Sequence, residues 1–458
     1  MRKTMSVKKT SIMILLAEAL MIAGNVVALS YVDYCYTNLG HIASTTMSAA
    51  MTVVSIIGFV MALFIGIIIQ KTKSRMGKYR MWILVGGLGL VIGSVLMVTT
   101  FSANPNVNLI VITAGYLLFN TALDFVCTSK YTLYERMAMG KSDVVDLYNG
   151  RGFAGGNLGY TIYSLILLSL VFAIGGENEN VGFFGTQILF ALLALLGILI
   201  LLKISKPYDM AASSEENIPQ PTVGELFRSL SGNGPAICVT VVGIIKTMCY
   251  SLFNFLLVYQ CCNVFGDIQY MTIALTMISI VGIIGNLLAP KIVPMLGGRK
   301  RTGIVVGIIS GILYILLGLF GQSIPAFFLL AGAAVLVQNI YDAIEAVLYL
   351  DAGEYWYHKT GNDTRAFLMG MANIGAKIAY ALASPILGAV LVMANFSEEA
   401  LMTGHDAAVM TRATGFLPAA GMLAMALLLA VFHKVSDKQI ETCIAENAQK
   451  DAALYAEE

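Results

Sequence analysis

Six ionisable side chains lie inside long apolar stretches of this chain: Glu18, Asp124, Lys246, Asp342, Glu345 and Lys377. A charge inserted at the centre of a hydrocarbon layer costs about 2.5–3.5 kcal/mol, so such a residue faces a cavity or a partner. Asp342 and Glu345 are three residues apart and share one helix face, which Tyr349 continues. Two acids one turn apart, facing a cavity, share a proton or hold a cation, because neither charge is well solvated. The plainer alternative is that Glu345 reaches an interface or pairs with a loop arginine. Neutralising Asp342 or Glu345 is the role expected of Lys246. Glu18 and Asn25 are seven apart and share a face of the first apolar stretch, either in a site or in a polar packing contact. Asn254, Asn339 and Asn373 suit a hydroxylated solute, and equally suit hydrogen bonds between helices.

The elements that hold these residues are membrane spans. The chain has 458 residues, of which 58% are hydrophobic and only 12% charged, with a mean hydropathy of +0.79. Soluble domains carry about 25% charged residues. Apolar segments fall at 10–37, 44–70, 81–101, 108–130, 152–174, 183–203, 236–259, 269–290, 302–321, 325–350, 366–394 and 411–432. Each suffices to cross a hydrocarbon core of about 30 Å. The first run continues past Ala28 without a small-residue cleavage site, so it reads as a span and not a signal peptide. Threaded alternately, the segments sort all but three of the 28 Lys and Arg (Lys246, Lys377 and Arg412) to one side, with 130–151 counted as a loop on that side. The positive-inside rule makes that side cytoplasmic and places both termini there, in a plasma membrane.

The polar stretch 206–235, with Glu215, Glu216, Pro207, Pro219 and Pro221, has linker chemistry and divides the spans six and six. The halves repeat each other. The basic hairpin KTKSRMGKYR from Lys71 to Arg80 sits between the second and third segments, and GGRKR from Gly297 to Arg301 sits between the eighth and ninth. Glycine-rich faces, GFAGGNLG from Gly152 and MGMANIGAK from Met369, follow in matching places. Two such bundles around a midplane site are the architecture of alternating-access transporters. The basic residues Lys73, Arg75, Lys78, Arg80, Arg299 and Arg301 are expected to bond helix C-terminal carbonyls as a cytoplasmic gate. The seven cysteines form no CxxC pair and only four histidines are present, so no metal site is expected. No GxxxxGK[ST] loop points to ATP. A net charge of +1 gives no field for nucleic acid. No nucleophile–base pair marks an enzyme.

Four pieces of the chain, in order, resemble the glycoside–pentoside–hexuronide cation symporters related to melibiose permease, within the major facilitator superfamily. They are YCYTNLG from Tyr34, TKSRMGKYRMW from Thr72, Asp124 with Glu135–Arg136 and Arg151, and DAGEYWYHKTGNDTRAF from Asp351 followed by Lys377. The resemblance implies solute binding by Asp124, Arg151 and Lys377, to which Asn373 is added for its polar side chain alone; the plainer alternative for Asp124 and Lys377 is a structural ion pair that holds the halves together. It also shows departures. The family's two acids on the second helix fall here at Gly58 and Ala62, and its site tryptophans at Thr128 and Asp342. Sodium coupling and galactoside binding therefore do not carry over by default.

The expectation is an all-α membrane protein of twelve transmembrane helices in two six-helix bundles, 1–205 and 236–435, joined by 206–235 and ending in a cytoplasmic tail, 436–458. Its expected function is symport of a sugar, glycoside or related polar solute as a monomer. It needs no cofactor beyond the coupling ion, H+ or Na+, with the proton favoured because the second-helix acids are missing. A solute sensor without net flux and a lysolipid carrier are the alternatives.

Overall fold

The computed structural model describes residues 5–100, 102–209, 222–267, 269–396 and 401–454. The described residues are helical and contain no strand. Among the described residues, eleven helices are long and apolar enough to span a bilayer: α1 Val7–Ser30, α3 Lys78–Met97, α4 Pro105–Ala138, α5 Ser142–Gly175, α6 Glu179–Ser205, α7 Gly234–Val264, α8 Gln269–Leu296, α9 Arg299–Phe320, α10 Ile324–Thr360, α11 Arg365–Met393 and α12 Gly404–Val431. The twelfth span, α2 Ser44–Lys71, passes the same test as two pieces bent by 41° just after Ala62. Large apolar side chains such as Ile110, Leu192, Leu329 and Leu427 are exposed, as lipid contact requires. Residues 210–221 of the expected linker lie outside the described residues. A short helix, Val223–Ser231, follows them, and a tail helix, Asp437–Leu454, ends the described chain.

Several helices outrun their apolar cores. The stretch 130–151, expected as a loop, is almost wholly helical: α4 runs to Ala138 and α5 starts at Ser142. Lys130 therefore lies inside a span, and its side chain is only 11% exposed. Hydropathy ends a span where polar residues begin, but a helix continues while its polar face has partners within the bundle. For the same reason Arg151 sits well inside α5 and not at its start.

Helices α1–α6 form one compact unit and α7–α12 another, with the boundary at Val223. Each unit closes its basic hairpin with an aspartate. In the first, Asp209 Oδ2 accepts from the Tyr79 and Arg80 amides at 2.9 and 2.7 Å, capping the N-terminus of α3. In the second, Asp437 Oδ1 accepts from the Lys300 amide at 3.0 Å, capping α9. Each carboxylate meets the positive end of a helix dipole. The preceding residues are Gly77 at φ +96° and Gly298 at φ +126°, and a Cβ on either would fall within 2.5 Å of the aspartate Cγ. Beside the second cap, burial holds the His433 imidazole below its ordinary pKa, while Lys300 Nζ donates to the His433 carbonyl at 2.5 Å. Asp209→Ala and Asp437→Ala are each expected to cost about 1 kcal/mol. Thermal unfolding in detergent checks this, and the two losses should add, since the caps serve different helices.

Of the six nominated gate residues, Arg80 behaves as expected: its Nε donates to the Leu202 carbonyl near the end of α6 at 3.2 Å. Arg299 instead pairs with Asp351 on α10 at 2.6 Å. Lys78 is buried, with its ammonium 5.4 Å from the Tyr79 ring. Lys73, Arg75 and Arg301 are exposed, and Lys300, not nominated, makes the bond that matches that of Arg80.

Candidate transport site

The first unit holds one of its intramembrane acids in a closed cluster. Glu18 on α1 takes a salt bridge from Lys130 of α4 at 2.8 Å and a hydrogen bond from the Tyr134 hydroxyl at 2.6 Å. Lys130 and Tyr134 are four apart, so one face of α4 supplies both. The pair is neutral as a unit, and all three side chains are buried or nearly so. A cavity of about 40 Å³ opens beside it, with Glu18, Asn25 and Lys130 among its lining. Asn25 Oδ1 is buried there with no hydrogen-bond partner among the described residues. The space is ample for an ordered water, which needs about 10–15 Å³. Glu18 and Asn25 thus line one cavity, on the shared helix face that their spacing predicts.

Asp124 lies on α4 and is buried; Arg151, on α5, is half-buried. Trp82 stacks on Phe125 at 4.2 Å and donates to Thr72 Oγ1 at 2.8 Å, so this tryptophan fastens the hairpin to α4. Helix α2 carries no acid anywhere along its length, and Ala62 is buried.

The second unit gathers its acids around one base. Lys246 Nζ on α7 lies 2.5 Å from Asp342 Oδ1 and 2.9 Å from Glu345 Oε2 on α10. The side chain of Lys246 is 8% exposed, and the carboxylates are 19% exposed each. Glu345 therefore does not pair with a loop arginine. Glu345 Oε1 and the Tyr349 hydroxyl both lie beside Gly243 of α7, each 3.0 Å from where a Cβ would sit, so a glycine there lets α10 bring its polar face close. Asn373 and Lys377 lie on α11, both half-buried. Asn254 and Asn339 donate to carbonyls four residues back in their own helices, at 3.0 and 2.9 Å.

The motif DAGEYWYHKTGNDTRAF serves the basic end of this unit. Arg365 bonds Glu354 at 2.6 Å and Asp363 at 2.9 Å, and Asn447 of the tail helix donates to the Glu354 carbonyl at 2.9 Å. The ion pair between Arg299 and Asp351 adjoins it in sequence. These buried pairs join α9, α10, α11 and the tail helix without using the intramembrane charges. Among the described residues no cluster of His, Cys, Asp and Glu could hold a metal ion.

Lys130 and Tyr134 are the residues that sequence reasoning missed. Their spacing of four on a segment that continues α4 was the available signal, hidden because Lys130 ends the apolar run.

Comparison with known proteins agrees with this architecture. The family described as MFS/sugar transport protein matches residues 13–436. The chain is 24% identical over 383 residues to the uncharacterized symporter YjmB of Bacillus subtilis, covering 83% of this chain and 82% of that one. It is 22% identical over 435 residues to the isoprimeverose transporter of Lactiplantibacillus pentosus, covering 92% and 88%. Among solved structures, a variant of the E. coli fucose:proton symporter FucP aligns with a TM-score of 0.68, 12% identity, and coverage of 94% of this chain and 100% of that one, which establishes the shared fold. The chain belongs to the MFS/sugar transport protein family and is a multi-pass membrane transporter of the major facilitator fold, not an enzyme.

Proposed function

We propose that this transporter is a symporter that couples entry of a sugar or glycoside to a proton by alternating access, in a plasma membrane, with its basic helix ends and both termini cytoplasmic. The observation that carries the coupling reading is the Lys246 cluster, where two carboxylates share one ammonium inside a span. With all three ionised, the group has one negative charge too many for a low-dielectric setting, and a proton is the simplest group that balances it. The absence of any acid on α2 supports a proton over sodium, since hard cations need oxygen ligands there. The similarity to an isoprimeverose transporter supports a glycoside as solute. Asp124 and Arg151 in the first unit, and Asn373 and Lys377 in the second, are the proposed solute ligands. The sorting of Lys and Arg supports the orientation.

The test is uptake into right-side-out vesicles with labelled isoprimeverose and a panel of xylosides and galactosides. An inward proton gradient should drive accumulation of at least one sugar, without sodium. Asp124→Ala or Lys377→Ala should reduce its uptake at least tenfold. Accumulation that follows a sodium gradient and ignores pH would overturn the proton assignment. Unchanged flux in both alanine variants would overturn the ligand assignment.

A further inference from the structure

Each unit ties its first helix to its fourth with a buried ion pair, and the two pairs have opposite polarity. In the first unit the acid is on the first helix: Glu18 of α1 meets Lys130 of α4 at 2.8 Å. In the second the base is on the first helix: Lys246 of α7 meets Glu345 of α10 at 2.9 Å. A tyrosine follows four residues later on the fourth helix in both, Tyr134 after Lys130 and Tyr349 after Glu345. Matching the pairs leaves one acid over. Asp342 stands one turn before Glu345, where the first unit has Cys127 one turn before Lys130.

The contacts within the cluster divide the same way. Lys246 Nζ donates a directional hydrogen bond to Glu345 Oε2. Asp342 Oδ1 is 2.5 Å from the same nitrogen but accepts no well-directed hydrogen bond among the described residues. Its surroundings are otherwise sparing of charge. Helix α7 presents Lys246 and Tyr250, α9 presents Tyr314, and α10 itself presents Tyr341 and Glu345. Helix α11 carries Lys377 and Tyr380, while α8 carries only Tyr270 and Lys291, near its two ends.

We propose that Asp342 is the group that binds and releases the transported proton, and that Lys246 and Glu345 form the fixed pair that positions it. This rests on the reading of the chain as a proton-coupled symporter. The step is a simple protonation: a proton from water on one side adds to an Asp342 oxygen, the O–H bond breaks again to water on the other side, and nothing is oxidised or reduced. With the proton on, the cluster is neutral, like the pair between Glu18 and Lys130. With the proton off, it carries one negative charge within the span, which disfavours any state that seals it from water.

Two experiments test this. In the full-length wild type carrying carbon-13 aspartate, the infrared band of the protonated acid that grows on acidification should move, and it should vanish in Asp342→Asn. A band that moves only with carbon-13 glutamate and vanishes in Glu345→Gln would overturn the assignment. In vesicles, Asp342→Asn should exchange sugar by counterflow within about twofold of wild type, independent of pH, while accumulation driven by a proton gradient falls to a ratio of about one. Retained accumulation would overturn the proposal. Should the asparagine variant not fold, Asp342→Cys, which copies Cys127, serves the same test. Wild-type vesicles that move no sugar would remove the symport reading, while the infrared assignment stands or falls by itself.

Discussion

Lys130→Met is expected to cost about 3–5 kcal/mol of stability, enough to remove most of the folded protein from the membrane. The substitution keeps the volume and apolar stem of the side chain but strands the Glu18 carboxylate, which is 7% exposed and keeps only the Tyr134 hydroxyl at 2.6 Å. An exposed ion pair is worth about 0–1 kcal/mol, so the size of the loss decides whether this pair is buried in solution as it is in the fold. Glu18→Gln together with Lys130→Met removes both charges and should recover most of the loss. Thermal unfolding of the two single variants and the double variant, completed as a cycle, isolates the coupling. A Lys130→Met protein as stable as wild type would mean that water reaches Glu18, and the neutral pair would lose its standing as the counterpart of Lys246 and Glu345. The orientation of the pair should matter less than its neutrality. Glu18→Lys with Lys130→Glu imitates the polarity of the second unit and should fold better than either single reversal.

The spans and the doubling of the chain are legible in the sequence because both are patterns of residue type over long windows. Twelve apolar stretches and two basic hairpins need no contact to be seen. The face shared by Asp342 and Glu345 is legible from their spacing, and Lys246 is the natural base for them. Three features are not. Lys130 looks like the first residue of a loop, because hydropathy cannot tell a polar loop from a helix whose polar side is buried against another helix. Asp209 and Asp437 look like ordinary linker acids, and only folding brings them onto the amides of α3 and α9. The opposed polarity of the two ion pairs is hidden for the same reason, since one of its four members looks like a loop residue. The absence of acids at Gly58 and Ala62 is plain from the sequence. What takes their place depends on which carboxylate is left over after pairing, and that is a question of contacts.

Gly155→Val and Gly159→Val are expected to be the most damaging single changes in the first unit, abolishing folded protein at expression temperature. The two glycines are four apart on α5, and they let α1 approach to backbone contact. A Cβ on Gly155 would sit 2.3 Å from the Leu15 carbonyl oxygen, and one on Gly159 would sit 2.3 Å from the Ala19 carbonyl oxygen. Backbone cannot step aside as a side chain can, so the helices must separate. Overpacking a core costs about 1–3 kcal/mol where side chains can adjust. Here the cost should exceed that range, and even Gly155→Ala should be felt. The contact has a functional consequence, because Leu15 and Ala19 flank Glu18 and the α1–α5 crossing fixes the carboxylate against Lys130. Gly375 on α11 looks equivalent in sequence, yet a Cβ there would meet Ile244 at 3.4 Å and the Tyr349 hydroxyl at 3.8 Å, which is ordinary contact. Gly375→Ala should therefore leave expression and thermal unfolding close to wild type. Equal damage at Gly155 and Gly375 would show that the glycine faces act by a common requirement of the repeat. A large difference would show that α1 packs on α5 through bare backbone, a closeness that the glycine of α11 does not require.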